Sequence, residues 1–479
     1  MSRAERRSRR RSRRRNRTRS RTRRALPWVA GVLVLALAGG AAAAYRTGRL
    51  EDWFGDQPAP LVAPVPGFTA PPAPWPRVVA RTAPSAGPTG AAVRRALGPA
   101  LHDPHLADLR AVVAPLEGAP VLDLGHGTST PASTLKLLTA VAALEVLRPE
   151  TTFATRVVTA GRREIVLVGG GDPFLESKQP AEGPARHDAS LETLASRTAK
   201  ELHRRGVTTV RLTYDTSLFS GPRVNPHWPK SYIPDDVVTP TTALWADEGL
   251  NPDGYGRVPD PPATAAGLFA SYLRKDGIEV RPAITQAKAR RDAREVASVT
   301  SLPVADIVER VLQYSDNEGA EVLAHQVGLA VEGEGSYDAG VRGVTRTLHG
   351  LGIDLSDATI QDGSGLSRHD RLDAETLVRV LQMASSPDHP ELRSVITGLP
   401  IAAYDGSLGY RFDHSPGRGL VRAKTGTLTG TSALAGLTSD ARGRVLVFAF
   451  VSNHVKKAET LDTRAALDRL ASALATCRC

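Results

Sequence analysis

The spacing of apolar residues changes between a period of two and a period of about 3.6 along the chain. Near the start of the globular part, residues 108–124 predict two strands around a Glu-Gly turn. Residues 133–147, "STLKLLTAVAALEVL", then repeat apolar side chains every three to four positions, which predicts a long helix. The first expected elements are therefore a hairpin and a helix.

The same pattern predicts a mixed middle, a helical block and a β-rich end. Strands and helices are expected over 152–175, 191–206, 207–215 and 264–277. Further helices are expected over 304–328, 339–352 and 373–385. Residues 420–454 predict strands with a hairpin turn at "SDARGR". A last helix is expected to carry on one face Leu467, Leu470, Ala471 and Leu474.

This order of elements indicates an α/β (α+β) fold. Strands from the two ends of the globular part are expected to complete one antiparallel sheet, with the helical block on its far side. A chain of 479 residues is long enough for two or three domains, each with its own core.

The net charge of +11 is concentrated at the N-terminus, where residues 1–24 hold fourteen arginines and one glutamate. The remaining residues therefore carry about −2, which argues against a nucleic-acid-binding body. Residues 25–44 are twenty uncharged residues, about the length that spans a bilayer. The basic flank predicts a cytoplasmic tail and an exported remainder, held by an uncleaved anchor or released after signal cleavage.

A Pro- and Ala-rich spacer follows, with ten prolines between Pro58 and Pro88. Such a composition predicts an extended linker rather than a packed element. The expected divisions are a cytoplasmic tail (1–24), an anchor or signal segment (25–44), a linker (45–90), a catalytic domain in two pieces (91–150 and 296–479) and an inserted region (151–295). The two cysteines, Cys477 and Cys479, exclude a disulfide framework and a Cys–His metal cluster, but leave open a Cys-x-Cys bridge or pairing with another chain.

Ser133 and Lys136 are the first candidates for chemistry. Their spacing places both side chains on one face at the start of a helix, where backbone N–H groups favour negative charge. A lysine with its ordinary pKa is a poor base, but burial or a second cation lowers that pKa and frees the amine to take the serine proton. On its own, the pair is more often a capping serine and a surface lysine.

Two later motifs favour a catalytic role for Ser133 and Lys136 over the capping serine and surface lysine. "YSDNEG" places Ser315 and Asn317 at an expected turn between two helices. "AKTGT" opens an expected strand and holds Lys424, Thr425, Gly426 and Thr427. The glycine lets another backbone approach an edge strand, while the lysine and the two hydroxyls suit a terminal carboxylate.

In this order, S-x-x-K, S-D-N and K-T-G resemble the serine penicillin-recognising enzymes. About 178 residues separate Lys136 from Ser315, a gap typical of the low-molecular-mass class C penicillin-binding proteins, the D-alanyl-D-alanine carboxypeptidase/endopeptidase group. "GGGDP", "DGSGLSRHD" and "YDGSLGYRF" are also similar to that group, except that Ser407 stands where the family more often has threonine. The resemblance covers roughly 91–475 and implies a β-lactamase/D,D-peptidase-like fold with a large insertion after the nucleophile helix.

The resemblance also implies roles for individual residues. Ser133 would be the acylated nucleophile, Lys136 its general base and Ser315 the relay of the proton to the leaving amine. The substrate would be bound by Asn317, Lys424, Thr425, Gly426 and Thr427. No metal or cofactor is expected, and the loop at 362–367 is either structural or supports the site through Asp362 or Ser364.

The expected partners are peptidoglycan stem peptides, β-lactam antibiotics as acylating inhibitors, and a membrane reached through the N-terminal helix, but no nucleic acid. The expected activity is a serine-type D-alanyl-D-alanine carboxypeptidase, with endopeptidase action left open because both reactions cut after the same D-alanine carbonyl. A serine β-lactamase and a catalytically silent wall-binding protein are the alternatives. The location would be the cell membrane with an extracytoplasmic catalytic domain, or outside the cell after cleavage.

Overall fold

The computed structural model describes residues 87–179, 189–251 and 255–479. The expected arginine-rich tail, the apolar segment 25–44 and most of the 45–90 linker lie outside the described residues. None of the helices in the described part of the chain is long and apolar enough to cross a membrane.

Helices and strands fall into the expected order. The helices within the described residues are α1 (Gly90–Leu101), α2 (Lys136–Leu147), α3 (Leu191–Arg204), α4 (Pro261–Lys275), α5 (Val304–Tyr314), α6 (Asn317–Glu332), α7 (Tyr337–Gly350), α8 (Ala374–Ser385), α9 (Arg393–Thr397) and α10 (Thr460–Thr476). The strands are β1 (Leu109–Pro115), β2 (Leu122–Leu124), β3 (Ala154–Gly161), β4 (Glu164–Val168), β5 (Thr209–Asp215), β6 (Glu279–Val280), β7 (Thr285–Gln286), β8 (Arg294–Thr300), β9 (Arg422–Leu428), β10 (Thr431–Ser439) and β11 (Val445–Asn453).

Strands from both ends of the described chain form one antiparallel sheet, in the order β2-β1-β11-β10-β9. Because side chains alternate across a strand, Phe448 and Phe450 of β11 face α1 and α10, whereas Ala449 and Val451 face the helical block. The four apolar residues expected on the last helix are all buried. The expected sheet, with the helical block on its far side, is therefore confirmed, as is the α/β (α+β) fold class.

A second, six-stranded sheet lies between α2 and α5 in the sequence. Its order is β6-β5-β4-β3-β8, with β7 beside β5. The parallel pairs β4–β5 and β5–β6 are joined through α3 and α4, as parallel pairs require a crossover. The sheet and these two helices enclose a separate core that includes Leu167, Leu212 and Phe269.

Some elements differ from the sequence prediction. Helix α1 and strand β8 were not expected, and β8 carries charged residues at its start, Arg294 and Glu295, which hide its alternation. The helix expected from Ser133 begins instead as a 3-10 turn over Ala132–Leu135. Cys477 and Cys479 form a disulfide with each other, which is the first of the two alternatives left open.

Candidate active site

The turn that carries Ser133 is held between two other backbone segments. Ala132 has a φ of 48°, an uncommon conformation for a residue with a side chain. A Cβ on Gly365 would lie 2.0 Å from the Ala132 carbonyl oxygen, and one on Gly426 would lie 2.8 Å from that of Pro131. Strand β9 and the loop at 362–367 therefore approach the turn closely, as the sequence predicted for the glycine of K-T-G.

Lys136 is the first residue of α2 and is fully buried, whereas Ser133 is half-buried. Lys136 Nζ lies 3.0 Å from Ser133 Oγ, 2.8 Å from Asn317 Oδ1 and 2.8 Å from the Ser364 carbonyl oxygen. The last two atoms only accept hydrogen bonds. A neutral lysine amine has two hydrogens and one lone pair, so these acceptors take both hydrogens and leave the lone pair for Ser133.

Asn317 is oriented by the segment between β5 and α4. Its Nδ2 donates to the Val237 carbonyl oxygen at 3.2 Å, which turns Oδ1 towards Lys136. The next residue, Glu318, accepts from the Thr239 backbone N–H at 2.9 Å and pairs with Arg257 at 2.9 Å. The segment that contains Val237 and Thr239 thus forms part of the site.

Burial lowers the pKa of Lys136 to about 8, because the buried amine loses hydration that favours its charged form. The neighbouring charges that act on it are carboxylates, which raise the pKa again; they are Asp362, Glu321, Asp316 and Glu318. Of the two causes considered from the sequence, burial is therefore the one that operates. Lys424, the second cation, is not the cause.

Ser315 lies at the turn between α5 and α6, in the left-handed conformation with a φ of 61°. Asp316 caps α6 by accepting from the Gly319 N–H at 2.8 Å. The S-D-N motif therefore occupies the helix–helix turn that the sequence predicted, and its aspartate has a structural role. The Ser315 hydroxyl accepts from Lys424 Nζ at 2.7 Å.

Lys424 lies on β9, the edge strand of the first sheet, and is fully buried. Its Nζ also donates to the Thr425 carbonyl oxygen at 3.0 Å. Burial, and secondly the charge of Lys136, lower the pKa of Lys424 well below its ordinary value. Burial thus lowers the pKa of both lysines, and Lys424 is not among the groups that shift the pKa of Lys136.

Thr425 and Thr427 lie on the more exposed face of β9. Thr425 is half-buried, and its Oγ1 donates to Ser407 Oγ at 3.0 Å. Thr427 is exposed. Since side chains alternate along a strand, the two threonines share one face, while Lys424 and Gly426 share the other.

The structure thus brings Ser133, Lys136, Ser315, Asn317 and Lys424 together through direct contacts, with Thr425 and Thr427 beside them on β9. Sequence reasoning missed the Val237 carbonyl and Glu321, which holds the loop around Ser364. A backbone carbonyl has no sequence motif. Glu321 did offer a signal, because it stands four residues after Asn317 within an apolar helix and so lies on the same face.

Comparison with known proteins gives a consistent result. The model of the D-Ala-D-Ala carboxypeptidase 3 (S13) family matches residues 93–253 and 254–474. A carboxypeptidase of Mycobacterium tuberculosis is 36% identical over 427 residues, covering 86% of this chain and 90% of the relative. A D-alanyl-D-alanine carboxypeptidase of an Actinomadura species is 30% identical over 410 residues, covering 67% of this chain and 73% of the relative.

Among solved structures, penicillin-binding protein 4 of Haemophilus influenzae shares the fold. It superposes with a TM-score of 0.66 at 21% identity, covering 81% of this chain and 98% of that one. A second structure of that protein, in complex with a β-lactam, gives a TM-score of 0.61 at 22% identity, covering 79% of this chain and 97% of that one.

Proposed function

Because this chain belongs to the D-Ala-D-Ala carboxypeptidase 3 (S13) family, we propose that Ser133 and Lys136 are the nucleophile and general base of its peptidase reaction. The chain is a serine D-Ala-D-Ala carboxypeptidase of the low-molecular-mass class C penicillin-binding protein group. The observation that carries the assignment is the 3.0 Å contact of Lys136 Nζ with Ser133 Oγ, because the other two contacts of that amine are to acceptors.

In acylation, Ser133 Oγ attacks the carbonyl carbon of the penultimate D-alanine while its proton moves to Lys136 Nζ. Negative charge develops on the carbonyl oxygen, and the backbone N–H groups of Ser133 and Thr427 would stabilise it. The C–N bond then breaks, and the departing D-alanine amine takes a proton from Ser315. Lys424, 2.7 Å from Ser315 Oγ, would supply the replacement proton.

In deacylation, a water molecule attacks the ester carbonyl and the Ser133–carbonyl bond breaks. Once Lys136 has released to solvent the proton that it took from Ser133, its amine can take a proton from the attacking water and return it to Ser133, by the reverse of its first role. A β-lactam would acylate Ser133 by the same attack. Its leaving amine stays tethered after ring opening, so the adduct would be slow to hydrolyse.

Substrate binding would use the K-T-G strand. Asn317 would contact the amide of the stem peptide, while Lys424, Thr425 and Thr427 would receive the terminal carboxylate, with Gly426 allowing the close approach of β9. A substrate carboxylate beside Lys424 would favour its charged form and so restore a proton that burial disfavours.

The stem peptides of peptidoglycan lie outside the cytoplasmic membrane, so the catalytic part is expected there. Residues 25–44 would hold it as a membrane anchor, because they are uncharged, about twenty in number and preceded by fourteen arginines. Residues 45–90 would act as the linker between the membrane and the catalytic part. Cleavage after the apolar segment would instead release a soluble form, which mass determination of the mature chain would reveal.

The purified full chain should be incubated with a defined pentapeptide monomer and a cross-linked dimer, with analysis of the products. Release of D-alanine from the monomer is expected, and Ser133→Ala should abolish it. Cleavage of the dimer would add endopeptidase action. Release of D-alanine by Ser133→Ala at the wild-type rate would contradict the assignment.

Labelled penicillin separates the two alternatives. A long-lived adduct on Ser133 is expected for the peptidase. Rapid turnover of penicillin with no persistent adduct would favour a serine β-lactamase. No acylation, together with binding of unchanged muropeptide, would favour a silent wall-binding protein.

A further inference from the structure

The Gly363–Ser364 peptide, which supplies one of the acceptors of Lys136, is held from two helices. On one side, Thr139 of α2 donates its hydroxyl to the Gly363 carbonyl oxygen at 2.6 Å. On the other, the Glu321 carboxylate of α6 accepts from the Ser364 N–H at 2.8 Å and from the Gly363 N–H at 3.1 Å. The orientation of the Ser364 carbonyl therefore depends on both helices.

Glu321 is fully buried, and the described hydrogen bonds of its side chain all go to this loop. A buried carboxylate is costly unless its oxygens are bonded, so the loop and Glu321 stabilise each other. The same face of α6 carries Asn317, one turn earlier, which contacts Lys136 directly. One helix thus controls both acceptors of the amine.

We propose that Glu321 is a positioning residue for Lys136: by fixing the Ser364 carbonyl, it fixes the direction in which the lysine lone pair meets the Ser133 hydroxyl. The proposal rests on the proposed roles of Ser133 and Lys136. Glu321 does not touch the nucleophile, and it acts through a backbone group 2.8 Å from Lys136 Nζ.

Glu321 also acts on Lys136 through charge. Its carboxylate raises the pKa of Lys136, as do Asp362 of the loop and Asp316 and Glu318 at the start of α6; on the other side lies the buried amine of Lys424 on β9, whose own pKa is lowered by burial. Burial raises the pKa of Glu321 itself to about 8, so its charge is sensitive to pH in the range where Lys136 titrates. Loss of Glu321 should therefore change both geometry and pH dependence.

Two substitutions separate these effects. Glu321→Gln keeps the shape but removes the charge and one acceptor oxygen. Thr139→Val loosens the other side of the same peptide without removing any charge. The second-order rate of acylation by a fluorescent penicillin should fall by about 10–100-fold in Glu321→Gln and by about tenfold in Thr139→Val, because misplaced reacting groups lose rate steeply.

The pH profile distinguishes the two variants. Acylation requires neutral Lys136, so its rate rises as pH rises through the lysine pKa. Removing the Glu321 carboxylate lowers that pKa. The rising part of the pH–rate profile, its acid limb, should therefore move to lower pH in Glu321→Gln. The limb of Thr139→Val should move less. A merely structural role of Glu321 would lower stability or yield but leave the acylation rate of the folded protein, measured above the pKa of Lys136, at its wild-type value.

Asp172→Asn is the matched control. Asp172 is also a buried carboxylate that accepts a loop N–H, from Phe174 at 2.9 Å, and it is not among the groups that act on Lys136. This variant should acylate at the wild-type rate with an unchanged limb. Thermal unfolding of all variants reports how much folded protein each assay contains.

If folded Glu321→Gln is acylated at the wild-type rate and the acid limb of its pH profile is unchanged, the inference is overturned while the proposed function stays intact. If Glu321→Gln does not fold, an unchanged acylation rate in Thr139→Val would overturn it instead, since that substitution releases the same peptide. A wild-type chain that penicillin does not acylate would remove the proposed function first, and the inference with it.

Discussion

Lys136 and Lys424 are two fully buried lysines in contrasting surroundings. Lys136 contacts a hydroxyl, an amide oxygen and a carbonyl, and four carboxylates raise its pKa against burial. Lys424 contacts a hydroxyl and its own strand, and burial and the charge of Lys136 both lower its pKa. Burial lowers the pKa of both amines; the carboxylates around Lys136 oppose that effect, whereas at Lys424 the charge of Lys136 adds to it.

The different surroundings of the two lysines suit two proposed tasks, general base for Lys136 and binding of the substrate carboxylate for Lys424. A general base works best when its pKa is near the working pH, and burial, opposed by the carboxylates, brings the pKa of Lys136 to about 8. Burial and the charge of Lys136 lower the pKa of Lys424, so a substrate carboxylate placed beside it would raise that pKa and favour uptake of a proton. Binding of a stem peptide should therefore take up protons, which calorimetry in buffers of different ionisation enthalpy can measure.

The largest effect is expected from Lys136→Ala, which removes the proposed base. Acylation by penicillin should slow by about 10⁴-fold, the upper range for loss of a general base. Lys200→Ala, at an exposed lysine of α3, is the control and should keep the wild-type rate. Retention of rapid acylation by Lys136→Ala would mean that another group activates Ser133.

Lys424→Ala should have the next largest effect, about 10²–10³-fold on D-alanine release, because it removes the proposed proton donor to Ser315 and a proposed partner for the substrate carboxylate. The pH at which acylation rises should nevertheless stay near its wild-type value, since burial and the nearby carboxylates, not Lys424, shift the pKa of Lys136. A limb that moves substantially to higher pH would show that Lys424 does depress the pKa of Lys136.

A smaller effect is expected from Ser407→Ala, which removes the partner of the Thr425 hydroxyl. One neutral hydrogen bond contributes about 1 kcal/mol, so KM for the pentapeptide should rise about fivefold while kcat stays constant. Ser407→Thr keeps a hydroxyl at this position and should behave as wild type. An equal rise of KM in both variants would assign the effect to packing.

The sequence predicted the catalytic part of the fold well because its elements are long and strongly periodic. Helix α2, the turn between α5 and α6 and the strands from β9 to β11 lie where the apolar pattern placed them. Strand β8 was missed because an edge strand with charged residues at its start does not alternate clearly. Helix α1 was missed because it directly follows the Pro-rich segment that was expected to be a linker.

In the candidate site, too, some residues could be predicted from the sequence and others could not. Ser133, Lys136, Ser315, Asn317 and Lys424 stand in short motifs, so their residue types could be found along the chain. Glu321 acts on a loop 42 residues away, and Val237 acts through its carbonyl 80 residues before Asn317. Such contacts depend on how elements pack, and periodicity carries no information about them. The cause of the lowered pKa of Lys136 likewise required knowledge of its burial.

The pH dependence of acylation by penicillin in the wild-type chain tests the central claim most directly. The second-order rate reports groups of the free enzyme, and it should rise with the loss of one proton at a midpoint near pH 8, the pKa of Lys136. A midpoint near 10, the value of an ordinary exposed lysine, would contradict the claim that burial makes Lys136 the base of Ser133.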